Sequence, residues 1–200
     1  MRARIFPVVC LIILCGCSAQ PELSSLPTDA VILAFGDSLT HGNGARAEES
    51  YPAVLQQLSG RTVINAGVSG EESAQGLERL PGLLETYHPR LLILCHGGND
   101  ILRKKDEARM EANVRQMIAL ARAQHAEVVL LGVPKPGLFL SAAKVYDRIA
   151  GDTGVVFIED LVPDVLADRA LKSDSVHPNR DGYRVMAEQI YKVLQDAGAI

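Results

Sequence analysis

The stretch that decides the fold is VILAFGDSLT, residues 31–40. Its first half, Val31–Phe35, is apolar throughout and does not alternate with polar residues. A short run of this kind is typical of a parallel strand that is buried on both faces. Gly36, Asp37 and Ser38 follow it, so we expect a loop directly after the strand. Similar apolar runs recur along the chain: Val63–Asn65, Leu91–His96, Val128–Val133 and Val155–Ile158.

Helical patterns lie between these runs. One apolar stripe at helical spacing consists of Met110, Val114, Met117, Ile118 and Ala121. Another, near the C-terminus, consists of Met186, Ile190, Val193 and Leu194. Such stripes usually face the core. Strands that alternate with helices predict an α/β fold in which a five-stranded parallel sheet lies between two layers of helices.

The composition narrows the class of protein. The chain has 200 residues, of which 48% are hydrophobic and 22% are charged, and this fits one globular α/β domain. Its formal net charge is −4 and its longest basic run is Arg103–Lys105, so we expect no nucleic-acid partner. Only 4% of the residues are aromatic and none is Trp, which argues against a surface that stacks on bases. The composition gives no indication of the oligomeric state.

Residues 1–17 have the pattern of a targeting segment. A basic start precedes the apolar run Ile5–Leu14, which has the shape of a secretory signal. That run is too short to span a bilayer, for which a helix needs about 20 residues. The stretch Leu-Cys-Gly-Cys at 14–17 resembles the bacterial lipoprotein box. The resemblance implies a signal peptide over residues 1–16 and lipidation of Cys17.

The same resemblance predicts where the protein resides. Ser18, rather than Asp, follows Cys17, and this indicates a cell-envelope protein anchored to the outer membrane and facing the periplasm. Residues 17–29 are polar and contain two prolines, so we interpret them as the lipidated N-terminus and a tether to a domain over 30–200. Cys95 is then the one free thiol left, and we expect no intramolecular disulfide.

Small and polar residues follow most of the apolar runs. These segments are Gly36–Thr40 after the first run, Ala66–Gly70 after the second, Gly97–Asp100 after the third, and Asp174–Pro178 beyond the fifth. Ligands of open α/β sheets bind beyond the carboxyl ends of the strands. We therefore expect a hydroxyl, a carboxamide, a carboxylate and an imidazole to meet at one edge of the sheet.

Those groups are the ones that acyl transfer requires: a nucleophile, a base, a group that orients the base, and donors for the oxyanion. Ser38 is the candidate nucleophile, and His177 is the candidate base because an imidazole titrates near neutral pH. Asp174 lies three residues before His177 and is a candidate to orient its ring. The candidate oxyanion donors are the side chain of Asn99 and the backbone N–H groups of Gly70 and Ser38.

Each of these motifs alone also fits an ordinary structural role. Gly36–Ser38 is a common turn, and Asp174–His177 fits a cap for a helix that begins near Asn179. No Cys-x-x-Cys or His-x-x-His pair indicates a metal site. The remaining histidines have no visible partner in the sequence and are interpreted as structural or surface residues: His41, His88, His96 and His125.

Together and in this order, the four segments resemble the four blocks of the SGNH, or GDSL, hydrolase family. Further shared stretches indicate its bacterial thioesterase I, arylesterase and lysophospholipase branch: Val63–Ala66, Ser69–Glu71, Gly76–Pro81 and His177–Asp181. The resemblance implies a flavodoxin-like fold with strand order 2-1-3-4-5 and a serine esterase without a cofactor. By position it implies that Ser38, Asp174 and His177 form a catalytic triad, with Gly70 and Asn99 as oxyanion donors.

Two loops are expected to flank the acyl pocket. One is Ile-Leu-Arg-Lys-Lys at 101–105, where the family branch commonly has small residues, and the other is Pro-Lys-Pro-Gly-Leu-Phe at 134–139. We expect Leu102, Leu138 and Phe139 to line the pocket. The loops also carry cations that either meet an anionic head group of the substrate or are solvated: Arg103, Lys104 and Lys135.

Three functions fit this pattern. The first is a serine esterase that forms an acyl-enzyme with small acyl substrates, such as short- and medium-chain aryl esters, lysophospholipids or acyl thioesters. The second is a carbohydrate O-acetylesterase that acts on cell-wall polysaccharide. The third is a lipid-anchored binding protein without turnover. The shared stretches and the few aromatic residues favour the first, and the complete set of polar groups argues against the third.

Overall fold

Five parallel strands form one sheet in the computed structural model, which describes residues 22–135, 137 and 140–200. The order across the sheet is β2-β1-β3-β4-β5, which confirms the order that the family resemblance implies. β1, β3 and β4 are almost wholly buried because their residues are apolar on both faces, and Ile32, Leu33, Ala34 and Phe35 are all fully buried. β2 lies at the edge of the sheet and is only partly buried, with Asn65 exposed, which corrects the expectation that the run Val63–Asn65 is buried on both faces. Their bounds are β1 Val31–Gly36, β2 Thr62–Gly67, β3 Leu91–Cys95, β4 Glu127–Leu131 and β5 Val156–Ile158.

Helices cover both faces of the sheet, so the predicted three-layer αβα sandwich is confirmed. α2 packs against α8 on one face, and α3, α5 and α6 pack side by side on the other. All five residues of the stripe that begins at Met110 are buried on α5. The helices are α1 Ser38–His41, α2 Tyr51–Ser59, α3 Ser73–Tyr87, α4 Gly98–Leu102, α5 Glu107–Ala123, α6 Lys144–Thr153, α7 Leu161–Ala167 and α8 Arg180–Asp196. None of these described helices is long and apolar enough to cross a membrane.

The carboxyl ends of the three strands that carry the predicted site lie level with one another. Gly36 at the end of β1 is in register with Gly67 of β2 and with Cys95 of β3. The chain turns from β1 to β2 on one side and returns to β3 on the other, so the switch point of the sheet lies at β1. A Cβ atom on Gly36 would lie 2.1 Å from the carbonyl oxygen of Cys95, so only glycine fits there. The loops after these strands therefore share one edge.

The segment before β1 is packed on the domain, which corrects part of the predicted tether. The backbone N–H of Leu23 donates to the carbonyl of Ala197 (2.9 Å), and that of Leu26 donates to the carbonyl of Ala199 (2.8 Å). Leu26 is only 4% exposed. The segment packs on the domain although it is polar, because burial of Leu26 is favourable and because the carbonyls at the end of α8 need hydrogen-bond donors from outside the helix. We call residues 22–29 the N-terminal strap; residues 1–21, including Cys17, lie outside the described residues.

Candidate active site

Ser38 is the first residue of α1, two positions after the end of β1, at the switch point of the sheet. Asp37 is buried and caps α1, since its Oδ1 accepts the backbone N–H of Leu39 (3.1 Å). Burial raises the pKa of Asp37, against the nearby histidines and the hydrogen bond from Leu39, which lower it. The Tyr183 hydroxyl on α8 donates to the carbonyl of Asn43 (2.8 Å) just beyond α1. The nucleophile candidate is thus held by a buried turn.

His177 and Asp174 come from the loop before α8 and meet Ser38 across the cleft. The Nε2 atom of His177 is 3.0 Å from the Oγ of Ser38, and its Nδ1 is 2.8 Å from Oδ2 of Asp174. The other carboxylate oxygen accepts the backbone N–H groups of Val176 (2.8 Å) and His177 (2.9 Å). The loop is fixed on its far side by Asn179, whose side chain caps α8 through the N–H of Gly182.

The charge of Asp174 sets the tautomer of the His177 ring. Partial burial alone would raise the pKa of Asp174, but the hydrogen bonds from the His177 ring and from two backbone N–H groups outweigh it and hold this pKa below its usual range. The ionised carboxylate accepts the proton on Nδ1, so the lone pair of the neutral ring is on Nε2. That nitrogen is therefore able to accept the proton of the Ser38 hydroxyl.

Gly70 and Asn99 line the same cleft as Ser38. Gly70 has a φ of +77°, a conformation that favours glycine, and its N–H has no acceptor among the described residues. Nδ2 of Asn99, in the first turn of α4, donates to the carbonyl of Glu71 (3.0 Å) and lies 3.3 Å from Oδ2 of Asp37. Backbone and side-chain N–H groups from the ends of β2 and β3 thus approach the hydroxyl at the end of β1.

The cleft beside these groups has a volume of about 970 Å³. Leu102, which we expected to line the pocket, does so and is 46% exposed. Leu138 and Phe139, the other two expected pocket residues, lie outside the described residues. The apolar part of the described wall consists of Leu39, Leu102, Val133, Pro134, Leu140, Leu166, Ala167 and Val176.

Two of the three loop cations are engaged with acidic side chains. Arg103 bonds Oε1 of Glu72 (2.7 Å) and donates to the carbonyl of Gly70 (3.1 Å). Lys135 is paired with Glu107. These contacts favour the interpretation of the loop charges as structural or solvated groups over contact with an anionic head group.

A cluster of three largely buried ionisable side chains below the site was not apparent in the sequence. His96, interpreted as a residue without a partner, is fully buried and bonds Oε2 of Glu71 through Nε2 (3.0 Å). Arg79 pairs with both oxygens of the same carboxylate, at 2.6 and 2.7 Å. The signal was present, because Glu71 and Arg79 both lie in stretches shared with the family. Their pairing was not apparent because Glu71 and His96 are 25 positions apart in the chain.

Comparison with known proteins identifies the family. Residues 34–185 match the family model described as GDSL-like lipase/acylhydrolase. The chain belongs to this family. The resemblance noted in the sequence is thereby confirmed, and the protein is a serine hydrolase that acts on ester bonds.

Two curated relatives and one solved structure show what this GDSL hydrolase is similar to. Thioesterase 1/protease 1/lysophospholipase L1 of Escherichia coli is 33% identical over 172 residues, 82% of this chain and 83% of the relative. Esterase TesA of Pseudomonas aeruginosa is 29% identical over 195 residues, 92% of this chain and 97% of the relative. The crystal structure of the psychrotrophic esterase EstA from Pseudoalteromonas sp., inhibited by monoethylphosphonate, has a TM-score of 0.75 at 27% identity and covers 84% of this chain and 98% of its own.

Proposed function

We propose that Ser38, His177 and Asp174 form the catalytic triad of this esterase and that it works through an acyl-enzyme. The Oγ of Ser38 attacks the acyl carbonyl carbon while Nε2 of His177 takes the hydroxyl proton. The imidazolium then gives that proton to the leaving oxygen or sulfur, and the acyl–oxygen bond to Ser38 remains. Water then attacks the acyl-enzyme while His177 takes one of its protons; the acyl–oxygen bond breaks, the acid leaves, and the imidazolium returns its proton to the Oγ of Ser38. The observation that carries this proposal is the 3.0 Å contact between the Ser38 hydroxyl and the ring of His177.

The oxyanion of each tetrahedral intermediate would be bound by the N–H groups of Ser38 and Gly70 and by the side chain of Asn99. Each such donor is typically worth about 10²- to 10³-fold in rate. Support comes from the N–H of Gly70, which has no acceptor among the described residues, and from the common cleft that all three residues line. Nδ2 of Asn99 donates to the Glu71 carbonyl (3.0 Å) and to Oδ2 of Asp37 (3.3 Å), so we expect the oxyanion to replace Asp37 as the acceptor of the weaker bond.

The substrate class that fits the cleft is a carboxylic ester or thioester with an apolar acyl chain. A cleft of about 970 Å³ with a largely aliphatic wall accepts a short or medium acyl chain with favourable burial. Aryl esters, lysophospholipids and acyl thioesters meet this requirement. The names of the Escherichia coli and Pseudomonas aeruginosa relatives, a thioesterase/lysophospholipase and an esterase, agree with it.

The test compares purified protein with Ser38→Ala on p-nitrophenyl esters of increasing chain length, acyl-CoA, lysophospholipid and acetylated sugars. We expect an optimum in kcat/KM along the chain-length series and a loss of about 10⁴- to 10⁶-fold in Ser38→Ala. Equal activity of the two proteins would remove Ser38 from the mechanism. A clear preference for the acetylated sugars would favour the carbohydrate O-acetylesterase instead.

We also propose that Cys17 is lipidated and anchors the enzyme to the outer membrane on the periplasmic side. Support comes from the lipoprotein-box pattern at 14–17 and from the strap, which packs at the end of the sheet opposite the cleft. An anchor attached there leaves the cleft open to solvent. Cys17→Ser is expected to move the protein from the membrane fraction to the soluble fraction; unchanged membrane association would rule out the lipid.

A further inference from the structure

A cluster of ionisable side chains, two of them buried and the third, Arg79, 26% exposed, lies beneath the loops that carry the two oxyanion donors. We call Glu71, Arg79 and His96 the Glu71 cluster. Glu71 is 6% exposed and His96 is 0% exposed. None of the three is part of the proposed triad. Burying charged groups is costly unless they are paired, so a cluster in this place calls for a physical reason.

Glu71 is connected to both oxyanion donors. It directly follows Gly70 in the chain, and its own carbonyl oxygen accepts Nδ2 of Asn99 at 3.0 Å. Its carboxylate is held from two sides, by Arg79 at 2.6 and 2.7 Å and by His96 at 3.0 Å. These side-chain contacts therefore restrain residue 71, whose backbone is bonded to Gly70 on one side and carries the acceptor of Asn99.

Arg79 connects this carboxylate to the strand that carries the nucleophile. Its Nη2 donates to the carbonyl of Ala66 on β2 (2.8 Å) and, more weakly, to that of Gly36 on β1 (3.3 Å). Its guanidinium carbon lies 4.2 Å from the ring centroid of Phe35, also on β1. The Gly36 carbonyl is two residues before Ser38. Arg79 thus fixes the ends of β1 and β2 relative to each other.

His96, which directly follows β3, links the end of that strand to Glu71. Its Nδ1 accepts the N–H of Gly97 (3.0 Å), so the proton of the neutral ring is on Nε2, which donates to Glu71. Gly97 is the cap of α4, the helix that carries Asn99. The ring fits because Gly76 has no side chain: a Cβ there would lie 2.3 Å from Nε2.

We propose that the Glu71 cluster is a set of positioning residues that holds the oxyanion donors at the ends of β2 and β3 in a fixed relation to Ser38 on β1. This rests on the proposed function of Ser38. Donors stabilise an oxyanion only when they are already in place, so a small displacement lowers the rate of the chemical step more than it weakens substrate binding.

The test measures kcat and KM separately with one p-nitrophenyl ester for the full chain and for Glu71→Gln, Arg79→Met and His96→Leu. Active sites are counted by stoichiometric phosphonylation, so that unfolded protein does not enter kcat. We expect kcat to fall by about 10- to 100-fold with KM changed by less than about 2-fold. If His96→Leu does not fold, Glu71→Gln, which keeps the shape of its side chain, decides the question.

Two conservative variants of His96 separate its two hydrogen bonds. His96→Gln provides an N–H for Glu71, whereas His96→Asn provides an acceptor for Gly97. The proposal predicts a higher kcat for His96→Gln than for His96→Asn. The reason is that the bond to Glu71 restrains the residue that follows Gly70 and accepts the hydrogen bond of Asn99. Equal kcat in His96→Gln and His96→Leu would contradict the role assigned to that bond.

Arg61→Met is the matched control. Arg61 also donates to two backbone carbonyls, those of Ser59 and Leu26, but it does so at the opposite end of the sheet. We expect it to lower stability without changing kcat. The inference is overturned if Arg79→Met and Glu71→Gln keep the wild-type kcat, or if Arg61→Met loses as much. Failure of the proposed function has a different signature, since Ser38→Ala would then remain active.

Discussion

The two ends of the parallel sheet differ in structure: one carries the candidate active site and the other carries the N-terminal strap. At the carboxyl end, Ser38, Asn99 and His177 border an open cleft of about 970 Å³ and keep polar groups available for a substrate. At the amino end, Leu23 and Leu26 of the strap donate their N–H groups to the carbonyls of Ala197 and Ala199, and these bonds hold the strap on the domain. The chemistry is thus confined to one end of the sheet, so substitutions at the amino end should change stability without changing kcat.

The largest effect is expected at the carboxyl end, from Asp174→Asn. The amide cannot hold the proton of Nδ1 as the carboxylate does, and it does not stabilise the imidazolium that forms during attack. We expect kcat to fall by about 10²- to 10⁴-fold with little change in the melting temperature. Asp152→Asn is the control, since Asp152 is also an exposed carboxylate but pairs with Arg115 far from the cleft. Equal losses in both variants would contradict the comparison.

Leu26→Ala, at the amino end, should lower stability without changing activity. Leu26 is 4% exposed and packs in the core, so truncation removes buried surface and leaves a cavity. We expect urea unfolding to report a loss of about 2–4 kcal/mol, with kcat/KM of the folded enzyme unchanged. Leu58→Ala on α2, where the side chain is 38% exposed, should cost much less. A fall in kcat/KM at wild-type stability would show that the two ends are not separate.

Glu71→Gln should change how the free energy of unfolding depends on pH, because the Glu71 cluster at the carboxyl end also stabilises the fold. Partial burial alone would raise the pKa of Glu71, but the hydrogen bonds from His96 and Arg79 hold it below its usual value of 4.5. A carboxyl group with a lowered folded-state pKa contributes stability above its unfolded-state pKa, and that contribution is lost as pH falls through the folded-state pKa. The wild type should therefore exceed Glu71→Gln by about 2 kcal/mol near neutral pH.

That difference should shrink as the pH falls below about 4.5, which a series of urea unfolding curves would measure. Glu85→Gln on the exposed side of α3 serves as the control. A difference between wild type and Glu71→Gln that stays constant down to pH 3 would contradict the pairing of Glu71 as an ionised carboxylate.

The smallest effect is expected from Ser24→Ala in the strap. The Ser24 hydroxyl donates to the exposed carboxylate of Glu127 at 3.2 Å, but the backbone N–H of Ser24 bonds the same carboxylate and remains in the variant. We expect a change of about 0.5 kcal/mol in unfolding free energy and none in activity. A loss as large as that of Leu26→Ala would assign the stability of the strap to this hydroxyl rather than to burial.

The sequence was sufficient to predict those parts of the structure that depend on a local pattern of residues. Val31–Phe35 identifies a central strand, and the segments after the strands contain the polar groups that the fold brings together. Strand ends were less accurate: β4 ends at Leu131, whereas the apolar run continues to Val133. Gly132 turns the chain there, and its N–H pairs with Ile158 at the end of β5.

Contacts between distant parts of the chain were not visible in the sequence. His96 looked unpartnered because its carboxylate partner lies on another strand–helix connection. The strap looked like a tether because its partners, Ala197 and Ala199, are at the other end of the chain. In both cases the partner lies far away along the chain, so the pairing depends on the tertiary fold and local composition does not reveal it.

The most direct test of the central claim is covalent labelling of Ser38. A reactive phosphonate ester should add to the wild-type enzyme with a stoichiometry of about one, and peptide mass spectrometry should locate the adduct on Ser38. His177→Ala should label far more slowly and Ser38→Ala not at all. An adduct on another residue, or full labelling and ester hydrolysis in Ser38→Ala, would contradict the assignment of Ser38 as the nucleophile.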